Sequence, residues 1–475
     1  MKREDMFDGI TDIRDDLIDG AKNAPKRQKR WGKRGWLGAA AAVLTIAIIG
    51  GIFLRPGGGL TANAQNIAQA QYPEMAQFPL DEYDDEAYNA WWEGVQAQRR
   101  ELGDTAPLRA FFSRSAQTFL SGAEGENRVY SPLNVYMALA MQAQLTGGET
   151  QAQLLDLLGS DSMDALRQQA KDVWNAHYRN DGALTSILAS SLWLNQDVTF
   201  KQDTMDILAQ DFYASSYRGE MGSAEFNKAL QNWLNEQTGG LLEEQAGNVE
   251  TDPSTILALA TTVYFKAKWN EEFSPEDTAP QTFHAPGGDM ETDFMHQSHS
   301  QDYYWGDKFS AVSQYFETGG SMWFLLPDEG VSPEELLSDG EAMDFLFTAN
   351  KYEWENQEYL LVNKSIPKFD VASQFDLIDG LKELGITDIF DPARSDFTPM
   401  TTDTDGIILD KASHAARVVI DEEGCTAAAF TVFEDLCTGV FLGDEVDFVL
   451  DRPFIFCITG DSGLPLFVGI VNSPA

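Results

Sequence analysis

The sequence predicts one large mixed α+β domain carried behind a single N-terminal membrane-spanning helix. Three observations predict it. Runs with helical period dominate the early part of the chain and strand-like runs the late part, with no βαβ alternation. Hydrophobic residues make up 43% of the 475 and aromatics 11%, enough to build a core rather than a disordered chain. Residues 35–54, GWLGAAAAVLTIAIIGGIFL, are twenty residues without a charge, the length that spans a hydrocarbon core as a helix.

Lys26, Arg27, Lys29, Arg30, Lys33 and Arg34 precede that run and only Arg55 follows it. The positive-inside rule then makes residues 1–34 a cytoplasmic basic tail and puts the rest outside. Six upstream cations argue against a buried core helix. Ala62, Asn63 and Ala64 have the small-residue look of a cleavage site, but beyond Arg55 and Pro56. The expectation is an uncleaved signal anchor: a single-pass protein of the cell membrane with its domain extracellular, or a secreted one if cut after Ala64. The architecture suits a bacterial envelope.

Net charge is −42, and the acidic excess lies beyond residue 55. No basic surplus remains to neutralise phosphates, so nucleic acid is excluded as a partner. Cys425, Cys437 and Cys457 are the only cysteines, and no CxxC pair occurs. A disulfide framework and a zinc site are both ruled out. No cofactor and no metal are expected, and the chain reads as a monomer.

Residues 55–104 predict an acidic, flexible spacer that opens with Pro56 and three glycines. Trp91 and Trp92 fall in a short helix that docks on the neighbouring domain, in preference to a binding platform. From about 105 to 475 the pattern is globular. Residues 108–120 form a helix. Ser131 and Pro132 open a second over 134–145, Pro suiting the first helical position. Residues 151–158 form a short helix ended by Gly159. Strands follow over 184–194 and 255–264, with a helix over 226–238 between them that ends at Gly239 and Gly240. Then come strands 321–326 and 360–369, a helix over 376–384 capped by Gly385, and strands 417–420, 446–450, 454–458 and 466–471. There is no internal repeat.

Candidate chemistry is sparse. Gly460, Asp461, Ser462 and Gly463 look like a protease nucleophile loop, which needs a histidine base. His414 is the available one, only 48 residues upstream. An extracytoplasmic serine hydrolase using Ser462 and His414 is therefore disfavoured. A polar hairpin turn uses the same residues. Ser365 and Lys368 formally match S-x-x-K, but Pro367 argues for an edge strand. His296 and His299 read as solvated loop residues. Asp403 and Asp405 lack the far ligand of a calcium loop, where Ala412 stands. Walker and GxGxxG motifs are absent. Nothing assembles into an enzyme's active site.

Residues 421–447 are unusual. They contain no proline, and no Lys or Arg occurs from 421 to 451. The stretch is long for a connection between strands, which points to function. With a period of two, Cys425, Ala427, Ala429 and Thr431 share one face, and all are small. Such a strand could slide between two others without displacing core volume. An Ala-rich linker with a helical turn is the other reading, and composition leaves both open.

Several motifs, in order, resemble the serpin family: NRVYSPL at 127–133, TVYFK at 262–266 with Trp269, IPKF at 366–369 with LKELGI at 381–386, SHAARVVID at 413–421, EEGCTAAA at 422–429, DRPF at 451–454 and FVGIVN at 467–472. The resemblance covers about residues 107–475. It implies a serpin fold of three β-sheets and eight to nine helices with an exposed reactive-centre loop. It implies a serine protease inhibitor, not an enzyme, that traps its target as an acyl-enzyme while the loop inserts into the main sheet. Glu422, Glu423, Gly424, Cys425, Thr426, Ala427, Ala428 and Ala429 would be the loop hinge. Ser131, Thr261 and His414 would control sheet opening. Cys425 stands where the family has Thr or Ser, Phe430 replaces a small residue, and Thr261 replaces a buried Asn. The hinge is closer to that of inhibitory members. A non-inhibitory member, cleaved as a plain substrate, is the alternative.

Fourteen residues on from Gly424, the family spacing places the reactive bond between Thr438 and Gly439; counting back from Pro453 lands near Leu442. No cation lies nearby for a trypsin-type pocket. The expected partner is an elastase-like or subtilisin-like protease.

Overall fold

The structure is a computed structural model of the chain, and it describes residues 64–79, 85–99, 102–123, 125–348, 350–425 and 444–474. The basic tail, residues 35–54, Thr426, Ala427, Ala428, Ala429, Phe430, Cys437, Thr438 and Gly439 lie outside the described residues. Among the described residues, no helix is long and apolar enough to cross a membrane.

Two sheets carry the strands. The first runs in the order β1 (Gln65–Ala68), β5 (Ala214–Gly219), β4 (Leu184–Asn195), β6 (Leu257–Lys268), β14 (Gly424–Cys425), β13 (Ser413–Ile420) and β12 (Phe369–Asp376), with β3 (Arg179–Asn180) on β4. The second runs β15 (Glu445–Val449), β11 (Gln357–Pro367), β8 (Gly288–Trp305), β9 (Phe309–Tyr315), β10 (Ser321–Pro327), β16 (Phe454–Thr459), β17 (Pro465–Val471) and β2 (Arg128–Tyr130), with β7 (Ala279–Ala285) on β8. Three sheets were expected, and the described strands make two. The reason is β8: its eighteen residues pair with β7 and β11 and then reach β9 at Tyr304 and Trp305, joining two strand groups into one.

Eleven α-helices occur among the described residues. Three of them, Glu243–Gly247, Pro333–Leu337 and Ile378–Glu383, have five or six residues, so the expected eight to nine matches the longer ones. Helix Pro132–Leu145 is apolar on nearly every side and buries most of its residues, as a core helix must. It packs against both β6 and β17 and so ties the two sheets together. Ser131 caps it, accepting the Asn134 amide at 3.3 Å.

The described part of residues 55–104 is not a free spacer. β1 pairs antiparallel with β5 at the edge of the first sheet. Tyr72 packs its ring among Trp174, Tyr178 and Tyr213. In helix Asp85–Gln98, Trp91 is only 2% exposed and its indole donates to Asp181 Oδ2 at 3.1 Å. The docking role expected for the Trp pair holds for Trp91, whereas Trp92 stays exposed. His296 and His299 are not loop residues either. Both lie in β8, His296 Nδ1 within 2.8 Å of Ser365 Oγ and His299 Nδ1 within 3.1 Å of a Glu271 oxygen. β11 is not an edge strand, because β8 and β15 flank it. Pro367 is tolerated at its end, past Ser365, where the ladder to β15 stops.

Candidate functional site

Within the segment expected to be the hinge, Gly424 and Cys425 form a short strand. Gly424 pairs with Lys268 and Cys425 with Ala267 on β6, while Cys425 pairs with Ile420 on β13. Among the described residues, no ladder joins β6 directly to β13; β14 is the link between them. The far edge of β6 is paired with β4 over its length, and the far edge of β13 with β12. The two strands are thus set one strand apart at the hinge, and β14 occupies the interval. Only glycine fits at 424. A Cβ there would lie 2.3 Å from the Ala267 carbonyl oxygen and 2.9 Å from Lys268 Cα, which is backbone that cannot turn aside. Cys425 is small enough to be buried beside it.

A turn delivers the chain into that interval. Asp421 Oδ1 accepts the amides of Glu423 at 3.0 Å and Gly424 at 3.1 Å. Trp269 clasps the turn twice: its amide donates to Glu423 O at 3.1 Å and its indole to Asp421 O at 2.9 Å. The Phe273 amide donates to Glu422 O at 2.9 Å. Lys368 closes the turn with an ion pair to Glu422, 2.8 Å to Oε2. Burial pushes the Glu422 carboxyl up, but the Lys368 ammonium and its other hydrogen bonds outweigh that and hold it below the usual range.

Lower in the sheet, Ser131 and His414 meet across 283 residues of sequence, the Ser131 amide donating to His414 Nε2 at 3.1 Å. His414 is buried between the rings of Tyr130 and Phe375. Burial lowers its pKa to about 4, so the ring is neutral and Nε2 keeps the lone pair this bond requires. Ser131 Oγ donates to Leu466 O at 2.6 Å, which ties the helix start to β17. Asn134 Nδ2 donates to Thr261 O at 3.3 Å. Thr261 therefore takes part through its backbone carbonyl. The residue that reaches it is Asn134, whose signal in the sequence is a side-chain amide in the first turn of a largely apolar helix. Lys368 sits in the IPKF motif, which does not announce Glu422 as its partner.

The rejected chemistry stays apart. Ser462 does not meet His414. Its Oγ lies 2.7 Å from His177 Nε2, and His177 Nδ1 lies 2.7 Å from the Val173 carbonyl oxygen. That carbonyl fixes the tautomer, so Nδ1–H donates to it and Nε2 accepts from Ser462. Leu464 N also donates to Ser462 Oγ, and Gly463 N to Gly460 O, so Ser462 anchors a hairpin turn between β16 and β17. Lys368 is committed to Glu422 rather than to Ser365. Among the described residues, no group of three or more His, Cys, Asp or Glu could hold a metal.

In the first sheet, Gly424 and Cys425 thus lie as a two-residue strand between β6 and β13. The profile described as "Serpin (serine protease inhibitor)" matches residues 108–474, and the chain belongs to that family, one of protease inhibitors and not of enzymes. It is 31% identical over 368 residues to a leukocyte elastase inhibitor of Sus scrofa, covering 73% of this chain and 93% of the relative. It is 27% identical to Serpin-ZXA of Oryza sativa subsp. japonica, covering 77% of this chain and 95% of the relative. The native structure of Tengpin, a thermophilic serpin, superposes with a TM-score of 0.70 at 23% identity, covering 87% of this chain and all of the other. The two sequence relatives are animal and plant proteins and lend no support to a bacterial origin.

Proposed function

We propose that this chain is a suicide-substrate inhibitor of serine proteases. One observation carries the reading: Gly424 and Cys425 already sit as a strand between β6 and β13, at the point from which insertion would propagate. The protease serine would attack the carbonyl carbon of Thr438. An ester forms, the peptide bond to Gly439 breaks, and the new amine leaves with the proton from the protease's base. Strand addition then draws the acylated end along the sheet before water can hydrolyse the ester.

The absence of Lys and Arg from 421 to 451 supports an elastase-like or subtilisin-like target rather than a trypsin-like one. The uncharged run at 35–54 supports display of the domain on the outer side of a membrane, with cleavage after Ala64 as the secreted form. The test is incubation of the full chain with elastase, subtilisin and trypsin, followed by denaturing gels. The expected result is a boiling-resistant band at the summed mass with elastase or subtilisin and none with trypsin. Clean cleavage without an adduct by every protease would overturn the trapping mechanism in favour of a plain substrate.

A further inference from the structure

A small cavity, of about 40 Å³, lies where the segment before residue 100 meets the rest of the fold. Met75, Val95 and Arg99 of that segment contribute to its wall. Arg179 of β3, Ser186 of β4 and Asp461 of the turn between β16 and β17 complete it. One water needs roughly 10–15 Å³ of such space, so there is room for a ligand of about two or three atoms.

Two hydrogen-bond donors on the lining residues are buried and have no partner among the described residues: Arg179 Nη2 and Ser186 Oγ. The Arg179 side chain is 5% exposed and Ser186 3%. A buried donor left unpaired is costly, and native folds satisfy nearly all of them. The rest of the Arg179 fork is used. Nε donates to Asp181 Oδ2 at 2.7 Å and Nη1 donates to Thr318 O, while the guanidinium carbon lies 5.6 Å from the Trp91 ring centre. A guanidinium nitrogen cannot accept, so Nη2 requires an acceptor, and the Ser186 hydroxyl has a proton to give to the same one.

Charge points the same way. Two guanidiniums, Arg99 and Arg179, stand here with two carboxylates. Asp181 is fully taken: it accepts the Trp91 indole at 3.1 Å, Arg179 Nε, and the amides of Ala183 at 3.0 Å and Leu184 at 2.9 Å. Asp461 Oδ2 lies 3.5 Å from Arg179 Nη1 and 3.6 Å from Arg99 Nη2. Those distances are longer than the roughly 2.7–2.9 Å of a charge-assisted bond. Burial pushes the Asp461 carboxyl up, against the pull of Arg179 and Arg99. His177, also in the wall, adds no charge, because burial lowers its pKa to about 4. At short range the positive charge is incompletely matched.

We infer that this cavity is a binding site for a small monovalent anion, of the size of chloride or formate, held by Arg179 Nη2 and Ser186 Oγ beside the Arg99 guanidinium. The bound anion joins the segment before residue 100 to β3 and β4, since neither part supplies the site alone.

The test uses the full chain in sodium gluconate, whose anion is too large for the cavity. Chloride or formate replaces gluconate at constant ionic strength. Melting is followed by calorimetry and the chloride NMR line width is read in parallel. The expected result is a saturable rise in melting temperature of roughly 2 °C at tenfold over Kd. The protein broadens the chloride line and formate narrows it again. Ser186→Ala and Arg99→Gln, the latter at a side chain 47% exposed, each weaken the anion roughly tenfold, the worth of one hydrogen bond. Ser186→Ala melts like the wild type in gluconate alone, which separates binding from folding. A larger shift with chloride supports the inference with a halide as ligand, and a larger shift with formate supports it with a carboxylate. No saturable shift and no broadening overturns it and leaves the cavity to water. Equal shifts in the wild type and both variants also overturn it, because the anion then acts elsewhere.

Discussion

His414 shows how a single ring sets conditions for the whole sheet. Its Nε2 accepts the Ser131 amide, a bond only the neutral imidazole can make. In the unfolded chain the ring has a pKa of about 6.5, and in the fold about 4. As pH falls, the unfolded state takes up the proton first. The stability tied to the neutral ring is therefore complete above about pH 6.5 and is lost as pH falls toward 4. His177 is buried in the same way, with its pKa lowered to about 4, and behaves alike. Each shift corresponds to roughly 3 kcal/mol. The urea midpoint should fall steeply between pH 7 and pH 4.5, and less steeply in His414→Gln. A variant with the wild-type slope would mean that His414 does not carry its share. Ser131 and His414 were legible as motif residues. Their contact was not, because nothing in a local pattern announces a bond across 283 residues.

At the scale of elements, the strongest departure is the segment before the globular domain. β1 lacks the alternation that marks an independent strand, since it borrows its ladder from β5 and needs little side-chain burial of its own. The helix behind it is polar except for the face carrying Trp91 and Val95, both buried. Trp91→Ala should cost about 3–5 kcal/mol in urea unfolding, the usual cost of deleting a buried aromatic. Trp92→Ala should stay within about 0.5 kcal/mol. Equal effects of the two would mean that the helix is not docked as described. The strands β16 and β17 were legible because short apolar runs between turn residues admit few alternatives. β8 was not, because its polar stretch around His296 and His299 is half-exposed and pairs through its backbone.

For the whole molecule, the proposed inhibitory function turns on the free energy of adding one strand to the first sheet. About a dozen new ladder bonds at roughly 1 kcal/mol net each give on the order of 10 kcal/mol, comparable with the stability of a domain. The uncleaved chain would then be held short of its most stable arrangement. Limited cleavage within 426–443 should raise the melting temperature sharply by calorimetry. An unchanged or lower melting point would mean that the loop does not enter the sheet.

By itself, the sequence determined the α+β class and the order of about half of the described strands and of most of the longer helices. These follow from local period, turn chemistry and motif order, which a linear chain carries openly. Only the tertiary structure decided that Gly424 lies against the backbone of β6, that Lys368 holds Glu422, that Asn134 reaches Thr261, that Ser462 belongs to His177, and that Trp91 docks on Asp181. Each of these depends on which distant backbone closes against which side chain. That is settled by burial and hydrogen-bond satisfaction across the whole fold, not by any window of sequence.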